Sequence, residues 1–174
     1  MKRRMFIAAT LLAALPAHAE EMQMDLEPDW GYVADTVMGG VSEGRATRES
    51  VAGRDAVRLT GEVSTENNGG FIQMATPVPR DVSGWTGIEL DVIGNGETYE
   101  MRLRTEGMTR PWQSFRAEFA APPDWTTIRL PFDAFEANRT DIVWDPAGLR
   151  RIGVLAVGRE FTVDIAVAGM RLYR

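Results

Sequence analysis

The chain has 174 residues, with 19 Lys plus Arg against 25 Asp plus Glu, one His and no Cys, for a formal charge of −6. Its only His and only Lys, His18 and Lys2, lie in a leader-like N-terminal segment, so the remainder carries 16 arginines against 25 acids, a charge of −9. That balance repels phosphate backbones and anionic lipid and argues against nucleic acid as a partner, while the lack of His and Cys excludes Ser-His-Asp and Cys-His catalysis and the usual zinc sites.

The chain opens on a basic stretch, Lys2, Arg3 and Arg4, followed by an uncharged apolar run over residues 5–15 and a small-x-small site, Ala17-His18-Ala19, before Glu20. This is the pattern of a secretory signal peptide, and the run of about eleven residues is short of the roughly 20 needed to span a membrane. The expectation is a signal peptide over 1–19, then one exported, periplasmic domain over 20–174. An uncleaved N-terminal anchor and a mitochondrial presequence are the alternatives for a basic, acid-free start; the shortness of the run counts against the first, and the continuous apolar run and the Ala-x-Ala site favour secretion over the second. The remaining 155 residues suit one domain, able to bury roughly 70% of its unfolded surface without disulfides.

Period-two alternation then marks short strands over 57–60, 87–93, 98–105, 112–119 and 125–130. In the third of these Tyr99, Met101 and Leu103 alternate with Glu100, Arg102 and Arg104, one face apolar and the other charged. Residues 131–136 can form a single helical turn opened by Pro131. A uniformly apolar run at 152–157 reads as a central strand, 161–167 alternates again, and 170–173 closes the chain. Gly, Asn and Pro clusters at 53–55, 67–70, 94–96, 122–124 and 145–146 supply the turns. No segment carries a helical stripe over three turns. The expected fold is all-β, a jelly-roll β-sandwich in one domain.

Two segments stand out. Residues 30–42 read W-G-Y-V-A-D-T-V-M-G-G-V-S, with paired glycines between apolar residues, as a bulge, a tight corner or a binding site would need. Residues 64–71 read S-T-E-N-N-G-G-F; a turn explains the composition, and a ligand-facing loop presenting Glu66, Asn67 and Asn68 is the functional alternative. Neither a G-x-G-x-x-G nor a Walker loop occurs. A carboxylate-pair hydrolase would need two convergent acids that nothing in the pattern marks. The expectation is therefore a binding protein rather than an enzyme, with no cofactor and no metal.

D-T-V-M-G-G-V-S at 35–42 and G-E-V-S-T-E-N-N-G-G-F at 61–71 resemble the signature blocks of the complex I intermediate-associated protein 30 (CIA30) family. W-T-T-I-R-L-P-F-D-A-F at 125–135 and L-R-R-I-G-V-L-A-V-G-R-E-F-T-V-D-I at 149–165 follow in the family's order and spacing. The resemblance implies a galactose-binding-domain-like jelly roll acting as an assembly factor that holds a protein client, such as respiratory complex I subunits or assembly factors. It places the candidate interaction surface on Asp35, Met38, Gly39, Gly40, Ser42, Glu66, Asn67, Asn68, Gly69 and Gly70. An exported domain would meet clients on the opposite side of the membrane from the one where a mitochondrial factor acts.

Arg102, Arg104 and Trp112, with Arg110, form a separate candidate patch. It is either an ordinary solvated strand face or the wall of a carbohydrate-binding groove on the concave face of the sandwich. The two functions predict different surfaces. A protein client calls for an exposed apolar or Gly-rich patch near 38–41 without a pocket. A glycan calls for an open groove with an exposed tryptophan beside polar groups.

Overall fold

Where apolar and polar residues alternate, the chain forms strands whose apolar side chains all leave one face. Tyr99, Met101 and Leu103 are buried while Glu100, Arg102 and Arg104 take the outward face. The computed structural model describes residues 21–174; the expected signal peptide lies outside them. Twelve strands follow in order: β1 Gln23–Leu26, β2 Gly31–Ala34, β3 Glu43–Val51, β4 Arg54–Val63, β5 Phe71–Arg80 and β6 Gly87–Gly94. Then come β7 Thr98–Thr105, β8 Ser114–Ala120, β9 Thr126–Pro131, β10 Glu136–Asn138, β11 Leu149–Val157 and β12 Phe161–Tyr173.

They pair, always antiparallel, into two six-stranded sheets. One runs β3-β4-β12-β6-β9, with β1 added to the C-terminal half of β12. The other runs β10-β8-β7-β11-β5-β2. The core lies between them: Leu59, Ile88, Leu90 and Ile165 of the first sheet belong to one cluster with Ile72, Met74, Met101, Leu103, Ile152 and Val154 of the second. Each such side chain contributes about 1.5–3 kcal/mol on leaving water, so the sandwich is held by its centre. The all-β sandwich expected from strand spacing is the fold that forms. Among the described residues no helix is long and apolar enough to cross a membrane.

Several elements differ from expectation. The last two strands are one, β12, because a bulge between Val167 and Gly169 slips the alternation by a residue. Val163, Ile165 and Val167 face the core before the slip, Met170 and Leu172 after it. β8 begins at Ser114, leaving Trp112 in the turn before it. β5 carries Pro77 and Pro79, residues that argue against a strand, but β2 pairs only as far as Ala75, so the prolines sit where that side of β5 is an edge. β3 is almost wholly polar and exposed because it too is an edge. The expected helical turn forms as a short 3-10 turn, Phe132–Ala134.

Candidate functional site

The segment between β2 and β3 is organised by one carboxylate. Asp35 opens a 3-10 turn, Asp35–Met38, closed by Gly39 at φ 92°, a left-handed conformation that suits glycine. The Asp35 side chain is fully buried, at 0% exposure, and accepts four hydrogen bonds. Oδ1 accepts from the Ser42 N–H at 3.0 Å. Oδ2 accepts from Ser42 Oγ at 2.5 Å, Gly70 N at 2.5 Å and Phe71 N at 3.2 Å. Ser42 Oγ in turn accepts from Ser64 N at 3.0 Å. A Cβ on Gly40 or on Gly69 would run into this carboxylate. Burial raises the Asp35 pKa, but the donors from Gly70, Ser42 and Phe71 outweigh it and hold the carboxyl below its ordinary value.

Asp35, Gly40, Ser42, Gly69 and Gly70 are thus one latch that ties the 35–42 block to the 64–71 block. Asp35 and Ser42 are closed off from solvent, so the surface at this corner is made by their neighbours. Val37 and Met38 are 74% and 63% exposed, with Val41 and Tyr32 partly exposed nearby in the chain. Glu66, Asn67 and Asn68 are exposed too, the two asparagines at φ 55° and 56°, the left-handed region that the sequence composition allows for. Beside the apolar knob runs an open groove of about 770 Å³ lined by Tyr32, Thr36, Glu43, Arg45, Glu62 and Thr162 among others. The corner therefore combines an exposed apolar tip with an adjoining polar groove, where a tip without a pocket was expected. Gly44 and Gly61, opposite each other on β3 and β4, leave no room for a Cβ against the partner backbone or Ile72, so the two strands can close on the core beneath the groove.

The second patch lies on the outward face of the β10-to-β2 sheet. Arg102 and Glu100 on β7 form an ion pair at 2.8 Å, and Arg116 on β8 reaches Glu100 at 3.4 Å. Arg104 instead donates through Nη2 to the Met108 and Arg110 carbonyls, both at 3.0 Å, fixing the loop between β7 and β8. Trp112 on that loop is 45% exposed; the Arg110 guanidinium is 5.8 Å from its ring centre and Asn138 Nδ2 holds its carbonyl at 3.3 Å. Arg102, Arg104 and Trp112 are thus gathered around one strand and its loop, apart from the latch. Sequence reasoning missed Arg151, which sits across from Arg104 on β11; only the Arg150-Arg151 step before an apolar run hinted at it.

Known structures share this architecture. A family 11 carbohydrate-binding module from Clostridium thermocellum, solved with a β-1,3-1,4-mixed-linked tetrasaccharide, superposes with a TM-score of 0.70 at 15% identity, over 89% of this chain and 96% of that one. A family 30 carbohydrate-binding module of a cellulosomal cellulase of the same organism gives 0.61 at 12% identity, over 88% and 97%. These likenesses establish a shared fold. No curated protein matches the sequence. The model of Complex I intermediate-associated protein 30 (CIA30) matches residues 20–161, a span that includes both halves of the Asp35 latch, and the chain belongs to that family.

Proposed function

We propose that this chain is a non-catalytic binding module that docks a protein client, an assembly intermediate of a membrane complex, through the latched corner. The observation that carries this reading is the pairing of a fully satisfied buried carboxylate with an apolar tip turned to solvent. Val37 and Met38 stand out on a turn that Asp35 holds rigid, so little order has to be gained on docking. Covering the two side chains contributes about 1.5–3 kcal/mol each. The groove beside them supplies polar partners for a client's backbone. The family's name supports a protein client, and the leader-like N-terminus supports a client on the exported face of the membrane.

The test is in-cell crosslinking of the tagged protein with mass spectrometry of what it captures. Respiratory-complex subunits or assembly factors should be enriched, and Val37→Asp with Met38→Glu should abolish their capture. Capture of the same subunits by the double variant would refute the docking surface. A second reading, a glycan on the outward face of the β10-to-β2 sheet, is favoured by one observation: Trp112 is exposed on a braced loop rather than packed in the core. Trp112→Ala should abolish glycan binding there and leave client capture intact.

A further inference from the structure

The outward face of the β10-to-β2 sheet contains a charge arrangement that folding alone does not explain. Arg151 on β11 is in register with Arg104 on β7, so the two guanidiniums leave the same face from adjacent strands. Residues so placed have Cβ atoms about 4.5–5.5 Å apart, and like charges there oppose each other. Among the described residues neither has a carboxylate within ion-pair distance, although the chain carries 25 acids. Their neighbours Arg102 and Arg116 share Glu100. Among the described residues the only acceptors of Arg104 are two neutral carbonyls, and its buried Nε–H has none. Burial, with the Arg151 charge added, pushes the Arg104 pKa down.

A bulge produces the pairing. Leu149 pairs with Thr105 and Arg151 with Arg104, so Arg150 is the extra residue. Arg150 turns away to Glu106 and to the Leu149 carbonyl. In an unbulged strand Arg150 would oppose Arg104, and Arg151 would point to the core face beside Leu103. Bulges commonly re-aim a side chain in this way.

We infer that Arg104 and Arg151 form a carboxylate-binding subsite for an acidic saccharide, whose ring lies on Trp112. This rests on the glycan reading of the face and adds a charge requirement to it. Arg151 offers a guanidinium fork and Arg104 the Nη1 that its two loop carbonyls leave, enough donors for the two oxygens of one carboxylate. The pair takes one carboxylate at a time, and the domain's overall negative charge favours short acidic oligosaccharides over long polyanions. The loop backbone that presents the exposed Trp112 is held on both sides, by Arg104 on the Arg110 carbonyl and by Asn138 on the Trp112 carbonyl, which preorganises it as a stacking platform.

The experiment is calorimetric titration of the protein with trigalacturonate and, in parallel, with a neutral β-glucan tetrasaccharide. Arg151→Gln is the decisive variant because Arg151 makes no hydrogen bond or ion pair that folding needs, whereas Arg104 braces a loop. Trigalacturonate should bind the native protein, about tenfold or more weaker to Arg151→Gln, and more weakly as salt is raised. Affinity for the neutral glycan should not follow. The Tm of unliganded Arg151→Gln should equal or exceed that of the native protein, since a like-charge contact is removed. Equal binding of acidic and neutral probes, unchanged by Arg151→Gln, overturns the carboxylate subsite and leaves the glycan reading standing. Binding of neither probe overturns both. A lower Tm for Arg151→Gln makes Arg151 a structural group and overturns the assignment.

Discussion

Asp35→Asn tests the latch with the smallest possible change of shape. The asparagine carbonyl keeps the place of Oδ1 and the bond from Ser42 N, but an NH2 group replaces Oδ2 and faces the Gly70 and Phe71 N–H groups. Two buried or half-buried donors then oppose a third, and the Ser42 hydroxyl must turn to accept. Each donor left without a partner costs about 1–3 kcal/mol, so the substitution should destabilise the domain by about 4 kcal/mol. For a domain of this size that is a fall in Tm of about 8–16 °C. The pH dependence carries a second signature. The folded Asp35 carboxyl titrates below its unfolded value near 3.9, so its contribution is fully present above that value and is lost as pH falls through the folded one. Native and variant proteins should therefore differ at pH 7 and converge below pH 4. Thermal melts followed by circular dichroism at both pH values decide the matter. A Tm within 2 °C of the native value at pH 7 would show that the four bonds are not what holds the corner.

Arg171→Leu should destabilise by about 3 kcal/mol at neutral pH, because Arg171 is bidentate to Asp91 at 3.0 and 3.1 Å and also bonds the nearly inaccessible Glu89 at 2.7 Å. The Arg171 hydrogen bond holds the Asp91 carboxyl far below its ordinary range, so urea melts should show the difference shrinking as pH falls below 4, where the unfolded chain takes up the proton that folded Asp91 refuses. Gly40→Ala should lower Tm by several degrees, since its Cβ meets the Asp35 carboxylate; an unchanged melt would mean that the corner relaxes freely. The same Gly40→Ala chain, if it folds, should lose client capture together with its latch.

The sandwich was legible because its central strands alternate strictly: Tyr99, Met101 and Leu103, or Val163, Ile165 and Val167, have to be buried on one side. What escaped was at the edges. β3 is polar on both faces, β5 is broken up by prolines that only an edge tolerates, and the bulge in β12 put the last strand out of phase. The site was legible in another sense. The glycines of 39–40 pointed to a bulge or a tight corner and those of 69–70 to a turn; what the structure adds is the close approach that the buried Asp35 requires of Gly40 and Gly69. Which blocks met could not be read, because the link runs from Asp35 to Gly70 across 35 residues, through a hydrogen bond with no local signature. Arg151 escaped for the same reason: its partner is set by register, and a bulge sets the register.

The two polar clusters differ in a way that separates architecture from binding. At Asp35 every oxygen is matched to donors, no solvent reaches the side chain, and its ionised form is the favoured one. Such a group stabilises what surrounds it and has nothing left to offer a ligand, so contacts at that corner fall to Val37, Met38 and the exposed asparagines. At Arg104 and Arg151 the matching is incomplete: two cations adjoin and, among the described residues, one N–H is orphaned and no carboxylate is within ion-pair distance. A chain with nine more acids than arginines after residue 19 sets a glutamate between arginines on this same face at Glu100, but none beside Arg104 and Arg151. The strongest sequence signature therefore marks the scaffold. The unmet hydrogen-bonding capacity, which is what a ligand can satisfy, lies on the sheet face that the sequence marked least.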